Sequence, residues 1–114
     1  GSIVNVSSTT AFNGSQGFLH YVASKGAVVS MTKTLAFELG PQQIRVNCVV
    51  PGWVMTARQL ERWVNADGEA AMDRNQCLPG RIVGADIANM VLFLAADTAR
   101  MITAQEFVVD AGWS

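Results

Sequence analysis

The sequence has little of what builds metal sites and disulfide frameworks. Its 114 residues include two cysteines and one histidine. Cys48 and Cys77 form no Cys-x-x-Cys pair and have no histidine cluster beside them. Both are therefore expected to be small buried hydrophobes in a reducing compartment. Charge is sparse as well. Eight basic residues against nine acidic ones leave a net charge of −1, and the basic residues are scattered, which argues against a nucleic-acid surface. No apolar run approaches the roughly 20 residues of a membrane span; the longest, Met90 to Ala96, has seven. No signal-peptide pattern opens the chain. Together these absences predict a cytoplasmic, metal-free protein with neither membrane nor nucleic acid as a partner.

Apolar residues, by contrast, are abundant. They make up 50% of the chain, and the mean hydropathy is +0.25, above ordinary globular usage. Such an excess suits strands buried on both faces, or a surface that meets a partner. The length supports one domain with a single core and is too short for two.

The β-branched run Ile3 to Val6 reads as a strand entering a polar loop, Ser7 to Thr10. Gly14 and Gly17 keep the segment to about residue 18 irregular. From Leu19 to Leu39 the pattern is helical, with Ala23, Ala27, Val28, Met31, Leu35 and Leu39 recurring at threes and fours, and Gly40-Pro41 stops it. Residues 44–50 form a second strand ended by Pro51-Gly52. A short helix is expected from about Ala57 to Val64, then a turn at residues 65–68 and a second short helix. Asp86 to Ala96 is a helix, with Ile87, Met90, Val91 and Leu94 on one stripe. Glu106 to Asp110 is the third strand. Strands separated by long crossovers pair in parallel and give an α/β layer fold, with right-handed connections.

Tyr21 and Lys25, four residues apart on the long helix, share a face. A free tyrosine ionises near pH ~10, but an ammonium close by favours the phenolate and makes it a usable base. Ser8 lies just past the carboxyl end of a predicted parallel strand, where open α/β sheets bind ligands, and its hydroxyl can hydrogen-bond a substrate oxygen. Taken alone, each feature also has a plain structural reading: a solvated pair for Tyr21 and Lys25, a cap or turn for Ser7-Ser8. His20 adjoins Tyr21, but neighbouring helical positions point about 100° apart, which turns it toward solvent or a neighbouring subunit.

In combination these segments resemble the short-chain dehydrogenase/reductase family. The resemblance is carried by Gly-Ser-Ile-Val-Asn-Val-Ser-Ser at 1–8, Tyr21-Val-Ala-Ser-Lys25-Gly-Ala, Ile44-Arg-Val-Asn-Cys-Val-Val-Pro-Gly52 and Phe107-Val-Val-Asp-Ala-Gly-Trp113. The thirteen-residue step from Ser8 to Tyr21 matches the family and selects Ser8 over Ser7. The resemblance implies the C-terminal part of a Rossmann-like, doubly wound parallel sheet, its last three strands with two crossover helices. It implies Tyr21 as the acid/base of hydride transfer and a contact of the cofactor, Lys25 as its electrostatic partner and a ligand of the nicotinamide ribose, and Ser8 as the group that polarises the substrate oxygen. Pro51, Gly52, Val54 and Thr56 would meet the nicotinamide of NAD or NADP, with Thr56 on the carboxamide.

The family's glycine-rich Thr-Gly-x-x-x-Gly-x-Gly turn, its Asn-Asn-Ala-Gly segment and the asparagine of its catalytic tetrad are not in these 114 residues. The choice between NAD and NADP, which the family encodes in that same portion, is therefore not readable. The expectation is a partial domain over 1–114 that needs a homo-oligomer or a missing N-terminal half, with β-edge and helix faces left open.

Substrate choice in the family resides in the loop at 53–81. Here that loop carries Trp53, Arg58, Gln59, Arg62 and Trp63, flat faces and multidentate donors that suit a sugar, although tryptophans sealing a lid would look the same. Gln76-Cys-Leu-Pro-Gly-Arg-Ile-Val and Val91-Leu-Phe-Leu-Ala-Ala-Asp are further similar to bacterial aldose 1-dehydrogenases of the D-xylose type. Small-molecule carbonyls, alcohols or sugars are thus the expected substrates, with Ser8 and Trp53 as contacts. The alternatives are a non-catalytic oligomerising module and, far behind, a Ser8 hydrolase, which lacks the Gly-x-Ser-x-Gly elbow.

Overall fold

A computed structural model describes residues 1–114. Three strands form one sheet in the order β1 (Ser2–Val6), β2 (Arg45–Pro51), β3 (Glu106–Val109), with both pairings parallel. The chain passes from β1 to β2 through α1 (Thr10–Asn13) and α2 (Leu19–Leu39). It passes from β2 to β3 through α3 (Ala57–Arg62), α4 (Ala66–Asn75) and α5 (Gly84–Ala95). The α/β class and the parallel order agree with the expectation. No helix is long and apolar enough to cross a membrane.

Strand alternation assigns the two helical layers. Asn5, Cys48 and Glu106 project to one face, where Asn5 Nδ2 donates to Thr32 Oγ1 of α2 at 3.0 Å and Glu106 pairs with Lys33 at 3.1 Å. Ser2 and Arg45 project to the other face and donate to the Leu94 carbonyl near the end of α5, at 3.1 and 2.8 Å. The central strand is therefore covered on both sides, and Val46, Cys48, Val49 and Val50 are fully buried. Burial of such side chains stabilises by roughly 1.5–3 kcal/mol for each large aliphatic. Burial pushes the pKa of the Cys48 thiol up, so it stays protonated, an inert apolar filler. Only 13 of 114 residues are buried, so much of the apolar half of the composition faces outward.

Several expectations need correction. Residues 10–13 form a helical turn instead of an irregular loop, because the Thr9 carbonyl accepts from both Phe12 and Asn13 before Gly14, at φ 77°, breaks the run. Helix α2 has the expected bounds, but its stop is not a left-handed glycine. Gly40 continues a 3-10 turn through Gln42, and the left-handed residue is Gln43. Strand β2 runs on through Pro51. The segment 65–68 is the start of α4, since the Asn65 side chain accepts from the Gly68 N–H at 2.8 Å; the Asn-x-x-Gly signal marks a cap. Helix α5 begins at Gly84, two residues before the expected Asp86, whose carboxylate instead accepts from the Val83 N–H.

Of the apolar positions that recur along α2, Ala23, Ala27 and Met31 are exposed and Val28, Leu35 and Leu39 half-buried, while Thr32 and Ala36 are buried. The helix is apolar nearly all round, so periodicity cannot choose its inner face; polar ties to the sheet choose it. Cys77 is exposed rather than buried, and its thiol donates to the Gly112 carbonyl at 3.2 Å.

Candidate active site

The site forms where β1 and β2 end. Past Val6 the parallel ladder continues, with the Ser7 N–H donating to the Val49 carbonyl at 2.9 Å and the Thr9 N–H to the Pro51 carbonyl at 3.1 Å. These bonds hold the serine loop beside the Pro51-Gly52 corner. Ser7 and Ser8 have different engagements. Ser7 is buried, and its hydroxyl donates to the Lys25 carbonyl of α2 at 2.7 Å. The Ser8 hydroxyl pairs with the Thr10 hydroxyl at 2.9 Å, and its oxygen also accepts from the Thr10 N–H at 3.3 Å.

Helix α2 brings Tyr21 and Lys25 to the same place. Lys25 Nζ lies 5.8 Å from the Tyr21 ring centroid and donates to the Val6 carbonyl at 3.2 Å. That carbonyl caps the ammonium's position without neutralising its charge. Tyr21 is 41% exposed as a residue and lines the open cleft described below.

The third wall is the segment after β2. Gly52 is required by close approach: a Cβ there would stand 2.6 Å from Asp110 Cβ and 2.9 Å from Asp110 Cα. Its N–H donates to the Val109 carbonyl at 2.9 Å, which locks the corner onto the end of β3. Thr56 caps α3 by accepting from the Gln59 N–H at 3.2 Å. Its own hydroxyl hydrogen stays free to donate, as a carboxamide ligand requires.

Ser8, Tyr21, Lys25, Pro51, Gly52, Trp53, Val54 and Thr56 all line one cleft of about 240 Å³, together with Val6, Ser7 and Gln59. Every residue singled out for the site thus meets the others. Of the loop mixture, Trp53 and Gln59 join them and the other three residues do not. Arg58 and Arg62 are exposed outside the cleft, and Trp63 packs edge-on to Phe18, with ring centroids 5.9 Å apart. His20 is exposed and is not part of the lining. Gln59 stood in the sequence only as one donor in the loop mixture. Its one-turn spacing from Thr56 is the signal that places both on the cleft side of α3.

Asp110 secures this wall from behind. Burial pushes its carboxyl up, but donation from the Ser114 hydroxyl and from the N–H groups of Ser114 and Gly112 outweighs burial and holds it below the usual carboxylate range. A depressed folded pKa contributes stability that is full above the unfolded value near ~3.9 and is lost as pH falls through the folded value. Asp110→Asn should therefore lower the urea midpoint at neutral pH, with the gap to the parent closing below about pH 4. Asp73, lowered by its bond to Arg81, is common to both proteins and cancels. A gap that persists unchanged to pH 3 would count against this role.

A family model described as enoyl-(acyl carrier protein) reductase matches residues 1–114. The chain is 46% identical over 113 residues to a D-xylose 1-dehydrogenase of Caulobacter vibrioides, covering 99% of this chain and 45% of that protein. It is 38% identical over 112 residues to the protein of Rhizobium meliloti named "Probable galactose dehydrogenase GalD", covering 98% and 44%. Among solved structures, a 4-hydroxyisoleucine dehydrogenase mutant complexed with NADH and succinate superposes with a TM-score of 0.93 at 36% identity, over 100% of this chain and 47% of that one. The chain spans just under half the length of these relatives. With the serine strand, the Tyr-x-x-x-Lys helix and the Pro-Gly corner assembled on a parallel sheet, the chain belongs to the short-chain dehydrogenase/reductase family.

Proposed function

We propose that this chain is the catalytic portion of an NAD(P)-dependent oxidoreductase that oxidises an aldose at its hemiacetal carbon, or reduces the corresponding carbonyl. The observation that carries the reading is the convergence of Ser8, Tyr21 and Lys25 with the Pro51–Thr56 segment in one cleft. The sugar dehydrogenases among its relatives support the substrate class.

The lining fits the nicotinamide end of a dinucleotide: an ammonium at Lys25 for ribose hydroxyls, and at Thr56 a hydroxyl hydrogen for the carboxamide oxygen. The glycine-rich turn that grips the pyrophosphate at a helix N-terminus is not in these residues. NAD or NADP, when bound, supplies the hydride acceptor or donor. Tyr21, as phenolate, takes the proton of the substrate hydroxyl while hydride leaves the same carbon. Ser8 hydrogen-bonds that oxygen and orients it, and the Lys25 ammonium stabilises the phenolate. The exposed outer side of α2, with Leu19, Ala23, Ala27 and Met31, supports a homo-oligomer as the working form.

The completed enzyme, with this chain fused behind the N-terminal portion of the Caulobacter relative, provides the test. Incubated with NAD and with NADP against aldoses, polyols, hydroxysteroids and acyl-carrier ketones, it should oxidise at least one pentose or hexose. The 114 residues alone, as the control, should show no turnover. Activity confined to steroid or acyl substrates would sink the sugar reading and leave the family standing.

A further inference from the structure

We infer that Gln59 is a specificity-determining residue: its amide N–H reads one hydroxyl of a polyhydroxylated substrate, and Trp53 holds it in position to do so. The inference rests on the aldose reading above and adds the residue that would enforce it.

An amide side chain presents an oxygen and an NH₂ group that are interchangeable by rotation unless a partner fixes them. The indole N–H can only donate, so its 3.0 Å bond to Gln59 commits the amide oxygen to Trp53. The NH₂ group is thereby turned away from the indole and makes no hydrogen bond to the protein, although Gln59 lines the cleft with Ser8 and Tyr21. The backbone is equally fixed. The Gln59 N–H donates to Thr56, and the Gln59 carbonyl accepts from both Trp63 and Val64 at 2.9 Å.

Trp53 itself has little freedom. Its ring lies 6.5 Å, centroid to centroid, from that of Trp113. It also lies against Gly68 so closely that a Cβ there would stand 2.8 Å from Trp53 Cη2. The cleft thus offers a flat aromatic wall and a pre-oriented pair of N–H donors on the same lining as Ser8 and Tyr21. A hydroxyl-rich ring uses both; a hydrophobic alcohol leaves the donors unpaired at a cost.

The test uses the completed enzyme with D-xylose and its 2-, 3- and 4-deoxy analogues. In the parent, one analogue should lose about 10-fold or more in kcat/KM relative to xylose. In Gln59→Met that handicap should collapse toward parity, through a raised KM for xylose with kcat changed less. Trp53→Phe keeps an aromatic face but removes the indole N–H, so it should reduce the same handicap while Gln59 remains. A handicap that survives unchanged in Gln59→Met, or an equal loss for every sugar, overturns the assignment. A parent that oxidises no aldose overturns the substrate reading and the assignment together. A handicap unchanged in Trp53→Phe removes Trp53 from the positioning role.

Discussion

Tyr21→Phe in the completed enzyme should lower kcat by about 10³-fold while leaving the fold intact, the range expected for loss of a positioned acid/base. Only the hydroxyl is removed. The ring keeps its place on α2, and Lys25 keeps both its 5.8 Å approach to the ring and its bond to the Val6 carbonyl. Because the ring is partly solvent-exposed, no buried polar partner is orphaned, and the unfolding midpoint should move little. Binding of the dinucleotide should also be retained, since Lys25 and Thr56 are untouched. Steady-state kinetics paired with a denaturation curve decide the matter: a folded variant with most of its turnover would remove Tyr21 from proton transfer.

Gly52→Ala should have the largest effect on the fold. The added methyl would sit 2.6 Å from Asp110 Cβ and 2.9 Å from its Cα, and no rotamer change can move those atoms. The end of β3 must shift, which strains the Gly52–Val109 bond and the ring of donors that Asp110 collects. Overpacking against backbone of this kind costs about 3 kcal/mol. The same shift moves the Pro51–Thr56 wall, so the KM for dinucleotide should rise along with the loss of stability. Urea unfolding and cofactor titration of the completed enzyme read the two effects separately. A variant with parent-like stability would show that the corner relaxes freely.

The parallel order of the sheet and the convergence of the site were legible because both are written in local terms. β-branched runs bounded by glycine and proline mark the strands, and Tyr21, Lys25 and Ser8 carry their spacing openly. Four details were not legible, each for a physical reason. The inner face of α2 is not marked in the sequence because Ala23, Ala27 and Met31 are as apolar as its buried side, and the choice is made by Thr32 and Lys25 bonding to the sheet. The start of α4 reads as a turn in the sequence because Asn-x-x-Gly serves both purposes. Cys77 is exposed because its position is set by the Ala111 carbonyl, which accepts its N–H, a contact 34 residues away in the chain. The commitment of Gln59 to Trp53 depends on a side-chain rotation that no spacing encodes.

The buried bond from Ser7 to the Lys25 carbonyl bears on how accurately two separate elements can be registered. Apolar layers tolerate sliding, because one methyl is much like the next to a neighbouring side chain. A helix lying on a strand through greasy contact alone could shift along its axis at small cost. A hydroxyl reaching a single carbonyl at 2.7 Å is directional, and a shift of even an ångström breaks it. Ser7 therefore works as an alignment pin between the strand that carries Ser8 and the helix that carries Tyr21 and Lys25. Proton transfer demands sub-ångström placement of its partners. In this fold, that tolerance is set by a residue whose hydroxyl is committed to the helix backbone and not to a ligand.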